Sequence, residues 1–219
     1  MVESVRVIGA GRVGSAVAAR LQERGLELRE DGAELVLLCV PDRAIAEVAR
    51  ELPVGPWVAH VSGATPLAAL EPHRRRFSLH PLQTFSRERG PEQLDGAWAA
   101  ATAEDDEARR LAFELARTLG LEPFELADEQ RQLYHAGAVV AASYLVTLHD
   151  AAARLVEAAG APPEALEPLM RRTIENGFEP TGPIPRGDWE TVEAHRVAIR
   201  AARPELEPLY DALAEATAA

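Results

Sequence analysis

Val5-Arg6-Val7-Ile8-Gly9-Ala10-Gly11-Arg12-Val13-Gly14 is the stretch on which the reading of this chain turns. An apolar strand runs into three glycines spaced G-x-G-x-x-G, and a helix opens at once with Val13, Val17 and Leu21 on one face. With a strand before it and a helix after it, that spacing is the fingerprint of a dinucleotide site. The first glycine permits the tight turn, the second lets a pyrophosphate approach the backbone, and the third lets the helix pack close on the strand. The helix start then offers unpaired N–H groups and a positive dipole end to phosphate. Gly9, Gly11, Arg12, Val13 and Gly14 are the expected cofactor contacts; the alternative is a glycine-rich turn that holds no ligand.

Working outward, the helix over 12–24 stops at Gly25, and Leu26 to Glu30 alternates like a short strand before the turn signal Asp31-Gly32. Leu35-Val36-Leu37-Leu38-Cys39-Val40-Pro41-Asp42 is a continuous apolar run of the kind a buried parallel strand shows. Too few residues separate these two strands for the crossover helix expected there. The segment that would carry the adenosine side of a cofactor is cut to a stub or a hairpin. Further strands are expected at Trp57 to Val61, leading into Ser62-Gly63-Ala64, and at Phe77 to Leu79, Trp98 to Thr102 and Leu121 to Leu126, with helices at 43–51 and 105–119. Strands alternating with helices predict a parallel sheet covered on both faces, an α/β fold. From Asp128 the period changes and only helices follow: one of about 30 residues, near 45 Å long, capped by Asp128, then others at 162–177, 189–202 and 204–217. Two domains are expected, 1–127 and 128–219.

The formal net charge of −12 sets nucleic acid aside as a partner, and Arg74-Arg75-Arg76 reads as a solvated loop. Cys39 is the only cysteine, which suits a reducing compartment. No run approaches the roughly 18 apolar residues of a membrane span, so the expected location is cytoplasmic. All 23 basic residues are arginine, which excludes a lysine acid or Schiff base. His60, His73, His149 and His195 form no metal-ligand spacing with the cysteine, so no metal is expected.

Four stretches in order, Gly9 to Gly14, Cys39 to Asp42, Ser78-Leu79-His80-Pro81-Leu82-Gln83-Thr84-Phe85 and Thr181-Gly182-Pro183-Ile184-Pro185-Arg186-Gly187-Asp188, span nearly the whole chain. Together they resemble the bacterial Rossmann-like proteins that carry a helical C-terminal domain of unknown function. That group is similar to the 6-phosphogluconate dehydrogenase-like enzymes, which include pyrroline-carboxylate and ketopantoate reductases. The resemblance implies a truncated Rossmann domain followed by an all-helical one, an oxidoreductase using NADP or NAD on a small molecule, and a homodimer formed through the helical domain. Ser143 stands where the group usually shows asparagine, and residues 26–34 are shorter than the group's ribose-recognising segment, leaving Arg29 and Glu30 as its remnants.

Hydride transfer to a carbonyl or imine carbon requires a nicotinamide and a group that supplies or removes a proton. His80 follows a strand directly, where open parallel sheets present ligand-binding residues. Tyr134 and His135 open the long helix near the domain boundary, where a cleft is expected; pointing about 100° apart, only one of them should face it. Arg186 could clamp a carboxylate or phosphate, with Asp188 to orient it or merely to cap a helix. The strand ends Val40-Pro41-Asp42 and Ser62-Gly63 complete the expected cofactor contacts. The rival to a reductase is a non-catalytic nucleotide-binding protein with a truncated adenosine pocket. Finally, Val139, Val140, Ala142, Leu145, Val146 and Leu148 spread apolar surface over more than one stripe of the long helix, as a helix packed on several sides requires.

Overall fold

The computed structural model describes residues 2–218. They form two compact units, one up to Val139 and one from Val140 onward. In the first, β1 (Ser4–Ile8), β2 (Glu27–Leu28), β3 (Leu35–Leu38), β4 (Trp57–His60), β5 (Arg76–Leu82), β6 (Trp98–Ala103) and β7 (Glu122–Glu125) make one sheet in the order β2-β1-β3-β4-β5-β6-β7. The helices are α1 (Arg12–Glu23), α2 (Asp42–Glu51) and α3 (Asp106–Thr118), followed by the first turns of α4 (Arg131–Ala158). Successive strand residues point to opposite faces, which is why the apolar runs have no polar alternation. Leu35 and Leu37 pack with Val17 and Leu21 of α1 on one face, in a cluster that also holds Leu111 and Leu115 of α3. Val36 and Leu38 pack with Ile45 and Ala49 of α2 on the other. Leu35, Leu37 and Leu38 are fully buried, each contributing about 1.5–3 kcal/mol of apolar transfer. Asp105 caps α3, its Oδ1 accepting from the Ala108 amide at 2.8 Å.

Two features depart from the sequence reading, and another decides between alternatives that it left open. The sheet is not wholly parallel: β5 and β6 pair antiparallel, Ser78 opposite Thr102 and Leu82 opposite Trp98. The connection over residues 83–97 holds only a 3-10 turn at Pro91–Leu94 and joins the same end of two neighbouring strands, Leu82 lying opposite Trp98, so β6 runs back along β5. Second, of the stub or hairpin expected over 26–34, it is the stub strand that forms. β2 pairs parallel with β1 through Ser4–Glu27 and Val5–Leu28 only, so it stops beside the lower half of β1. Third, Asp128 does not cap the long helix. Its two carboxylate oxygens accept from the amide of Leu67 at 3.1 and 3.2 Å, tying the start of that helix to the chain after β4.

The second unit takes in the rest of α4, with α5 (Leu166–Glu175), α6 (Trp189–Ala202) and α7 (Glu207–Ala218). Val192, Ile199, Leu206 and Ala214 are its buried apolar residues. Arg196 Nε donates to Asp211 Oδ1 at 2.7 Å and Arg200 Nε to Glu207 Oε1 at 3.0 Å, linking α6 to α7. The segment Asp128–Ala158 is, by length and composition alone, long and apolar enough to cross a membrane, contrary to the sequence reading that no run came close. Between Arg131 and Asp150 its only ionisable side chains are Tyr134, His135, Tyr144 and His149.

Candidate functional site

The glycine turn joins β1 to α1, and its three glycines answer to different demands. Gly9 has φ +114°, and a Cβ there would lie 2.4 Å from the Cys39 carbonyl oxygen. At Gly14 a Cβ would lie 1.8 Å from the Gly9 oxygen. Both are glycine because the fold leaves no room. Gly11 is different: its φ of −75° and ψ of −174° suit any residue, and a Cβ there would meet no atom within 4 Å. Nothing within the chain requires glycine at 11. The first turn of α1 has no side-chain cap and no acidic residue, so its orphan N–H groups have no side-chain acceptor at the cap.

Beside this turn, at the C-terminal ends of β3 and β4, Val40-Pro41-Asp42 leads into α2 and His60-Val61-Ser62-Gly63 leaves the sheet. Ser62 builds the latter turn. Its Oγ accepts from the amides of Ala64 (3.2 Å) and Thr65 (3.0 Å) and donates to Thr65 Oγ1 at 2.9 Å. The Ser62 amide in turn donates to His60 Nδ1 at 3.2 Å, so that ring carries its proton on Nε2. Full burial holds the His60 pKa down to about 3.

A residue absent from the sequence reading holds these parts together. Arg131, the first residue of α4, is 1% exposed. Its Nη1 donates to Ser78 Oγ at 2.6 Å and Thr102 Oγ1 at 2.8 Å, and its Nη2 donates to the Ser62 carbonyl. One guanidinium fork thus joins β5, β6 and the Ser62 turn to α4, its only ion-pair partner among the described residues being Asp128 at 3.8 Å. The signal was a single arginine opening a long apolar helix, preceded by two strands each carrying one small hydroxyl residue, Ser78 and Thr102, among apolar ones.

So anchored, the first turn of α4 brings Tyr134 and His135 to His80. His80 Nδ1 lies 2.8 Å from Tyr134 Oη, and the two rings meet edge to face. His135 also approaches, its ring centroid 6.2 Å from that of His80. Both residues reach His80, where the helical wheel allowed only one, because His80 stands between their two directions. Gly63 makes the room: a Cβ there would lie 2.7 Å from His135 Cδ2 and 2.9 Å from His80 Nε2. Burial first, then the charges of His135 and Arg131, press the His80 pKa down to about 4, against a weaker upward pull from Asp42. Burial raises the Tyr134 hydroxyl to about 12. At neutral pH the pair is a neutral imidazole and a protonated phenol, each with one proton.

Arg29 and Glu30 are spent low on the sheet. Arg29 Nη2 pairs with Glu27 at 2.5 Å, and Glu30 faces Arg6 of β1 at 3.7 Å. Asp188, in the second unit, caps α6: its Oδ1 accepts from the Thr191 amide at 3.1 Å and its Oδ2 from Thr191 Oγ1 at 2.8 Å. Arg186 lies in the turn just before it. Among the described residues no cluster of histidine, cysteine and carboxylates could hold a metal ion.

Solved structures share this fold over the full chain. The Bacteroides fragilis protein BF3122, provisionally named an NADP oxidoreductase, superposes with a TM-score of 0.82 at 22% identity, covering 99% of this chain and 98% of its own. Protein TM1727 from Thermotoga maritima gives 0.77 at 24% identity, covering 96% and 95%. A semialdehyde dehydrogenase NAD-binding protein from Cupriavidus necator, solved with calcium and NAD, gives 0.62 at 21% identity, covering 96% and 99%. At these identities the likeness establishes the fold, a Rossmann-type unit followed by a helical one. The search of curated proteins finds no match. One family model matches residues 97–217, more than half of the chain, and by that match the protein belongs to the family defined by the domain of unknown function DUF2520.

Proposed function

We propose that the protein is an oxidoreductase that binds NADP or NAD at the glycine turn and acts on a small carbonyl or imine compound at His80 and Tyr134. The observation that carries this reading is Gly11, a glycine that the fold does not need, facing open space beside the uncapped start of α1. A pyrophosphate approaching that backbone supplies the missing reason for it. Gly9 to Gly14 would hold the phosphates, and Val40-Pro41-Asp42 and Ser62-Gly63 would line the path of the nicotinamide toward His80. The names of the B. fragilis and C. necator proteins support the same cofactor class.

The nicotinamide supplies a hydride when bound. The chain's own part is to position the acceptor and provide its proton. Neither member of the 2.8 Å His80–Tyr134 pair is charged at neutral pH. If Tyr134 Oη donates to His80 Nδ1, the ring presents Nε2–H; if the ring donates from Nδ1, the phenol proton is free. Either end can protonate a developing oxyanion or amine while the shared bond relays the replacement. Arg131 fixes the distance and leaves a positive field beneath the pair.

The stub β2 favours a second reading, a nucleotide-binding protein that holds its ligand by the phosphates and catalyses nothing, since Arg29 and Glu30 lie too low to meet an adenosine ribose. Titration of the purified protein with NADPH and NADH, followed by nicotinamide fluorescence and melting shift, tests binding. Oxidation of the bound reduced cofactor by a panel of small 2-oxo acids and cyclic imines then separates the two readings. Binding without turnover in wild type, and no change in Tyr134→Phe, would select the second.

The helical unit is proposed as the site of homodimerisation. Val140 is 58% exposed, Tyr144 56% and Val146 70%. That run of apolar surface along one helix is more than a soluble monomer ordinarily leaves uncovered, and a two-fold copy of the same helix is the commonest cover.

A further inference from the structure

Many arginines outside the site just described meet a carboxylate, among them Arg20 with Asp95, Arg76 with Glu104, Arg196 with Asp211 and Arg200 with Glu207. In a chain with 35 acidic residues against 23 arginines, that is the expected outcome. Others have no such partner among the described residues, and at one place three arginines gather around a single recess. A recess of about 360 Å³ lies against the outer side of the glycine turn and the start of α1, and Arg12, Arg87 and Arg89 line it. Among the described residues Arg12 and Arg87 have no ion-pair partner, and Arg89 has only Glu92 at 3.7 Å. Small residues, Ala10, Gly11, Ser15 and Ala19, form the floor.

The loop that brings Arg87 and Arg89 there is a built one. Gln93 is 4% exposed, and every polar atom of its side chain serves the loop. Its Nε2 lies within bonding distance of the carbonyls of Ser86 (3.2 Å), Arg89 (2.9 Å) and Gly90 (2.9 Å), and its Oε1 accepts from the Ser86 amide at 2.7 Å. The Gln93 carbonyl accepts from Gln83 Nε2 at 3.2 Å. Behind it, the buried Arg20 of α1 donates to Asp95 Oδ1 at 2.6 Å and to the Pro91 carbonyl at 2.8 Å, pinning the strap to α1. Arg12 Nη1 reaches the Phe85 carbonyl at 3.5 Å from the other side. A buried amide thus holds an exposed loop in one shape, and that shape keeps cations together that would separate if the loop were free.

We infer that Arg12, Arg87 and Arg89 form an anion subsite for a phosphate or pyrophosphate group, adjoining the orphan N–H groups at the start of α1. The inference deepens the proposed dinucleotide reading, and rests on it only for the source of the phosphate. That source is either the cofactor's own pyrophosphate or a phosphoryl group on the substrate. With the adenosine side cut to a stub, a second set of phosphate contacts on the opposite flank of the turn restores part of what the ribose contacts would supply. Arginine suits the role, presenting a planar fork to phosphate oxygens.

The test uses the full-length protein, with inorganic pyrophosphate and NADPH as separate probes, by calorimetric titration at low and moderate salt. Arg87→Ala and Arg89→Ala lie on an exposed loop and should leave the melting temperature unchanged. Each should weaken pyrophosphate binding about ten-fold, as the loss of one charge-assisted bond does. If NADPH weakens by the same factor, the subsite takes the cofactor's pyrophosphate. If pyrophosphate weakens and NADPH does not, it takes a phosphoryl group borne by the substrate. Pyrophosphate bound by the wild type, lost in the variants, with no NADPH binding at all, would sustain the subsite while overturning the dinucleotide reading. Wild-type protein that does not bind pyrophosphate at low salt, or variants that bind it as well as wild type, would overturn the subsite, even with NADPH binding intact.

Discussion

Replacing Arg131 by methionine should loosen the first unit and disable its site together. The guanidinium makes three charge-assisted bonds, to Ser78 Oγ, Thr102 Oγ1 and the Ser62 carbonyl, each worth about 1.5–3 kcal/mol before costs. Against that sum stands the penalty of holding a cation 1% exposed, several kcal/mol. The Thr102 hydroxyl is not stranded by the change. Thr102 Oγ1 still donates to the Leu126 carbonyl at 2.8 Å, and Ser78 lies opposite it in the β5–β6 register. The Ser62 carbonyl is stranded, and the tie between its turn and α4 is reduced to the bond from Gln132 Nε2 to the Ala64 carbonyl at 3.1 Å. The net expectation is a loss of about 2–4 kcal/mol, read by urea unfolding with the fluorescence of Trp57 and Trp98. Arg131→Lys, keeping the charge but not the fork, should recover only part of it. A change below about 0.5 kcal/mol, the range of an ordinary surface substitution, would refute the view that this one fork joins β5, β6 and α4.

Acid should destabilise the fold through its buried imidazoles. His60 and His80 have folded pKa values of about 3 and about 4, below the ordinary 6.5, so the unfolded chain binds protons first and stability falls as pH drops from 6.5 toward 4. His80→Gln should flatten that fall in a series of urea midpoints; an unchanged slope would show that His80 does not contribute to it. Gly63→Ala places a methyl 2.7 Å from His135 and 2.9 Å from His80; turnover should drop sharply with a destabilisation of about 1–3 kcal/mol, and an active variant of wild-type stability would show that the close approach is dispensable. Val140→Arg, at a position 58% exposed, should turn a dimer into a monomer by light scattering, whereas a wild-type mass near 23.7 kDa would remove the dimer from the account.

The glycine spacing at 9–14, the apolar runs at 35–38 and 57–60 and the change of period after Asp128 made the fold legible, because each is a local pattern with one physical reading. His80 was singled out as the residue following a strand, but β5 continues to Leu82 and His80 pairs with Ala100 within it. What could not be read was whatever depends on which distant segments meet. Arg131 and Gln93 look ordinary in the sequence, and their roles exist only once Ser78, Thr102 and Ser62, or the carbonyls of residues 86–90, are brought around them. The direction of β6 was missed because 83–97 is long enough for a crossover, and only its packing along α1 shows that it makes none. The resemblance left Arg29 and Glu30 as remnants of a ribose-recognising segment; the early end of β2 at Leu28 leaves them beside Glu27 and Arg6.

The central claim is that the space before Gly11 belongs to a dinucleotide phosphate, and Gly11→Val tests it most directly. The backbone angles there admit valine and a Cβ meets nothing within 4 Å, so the variant should melt within about 2 °C of wild type. NADPH or NADH should raise the melting temperature of wild type in proportion to the logarithm of its concentration and leave Gly11→Val unmoved. A variant stabilised by the cofactor as strongly as wild type, or a wild type that neither cofactor stabilises, would contradict the account.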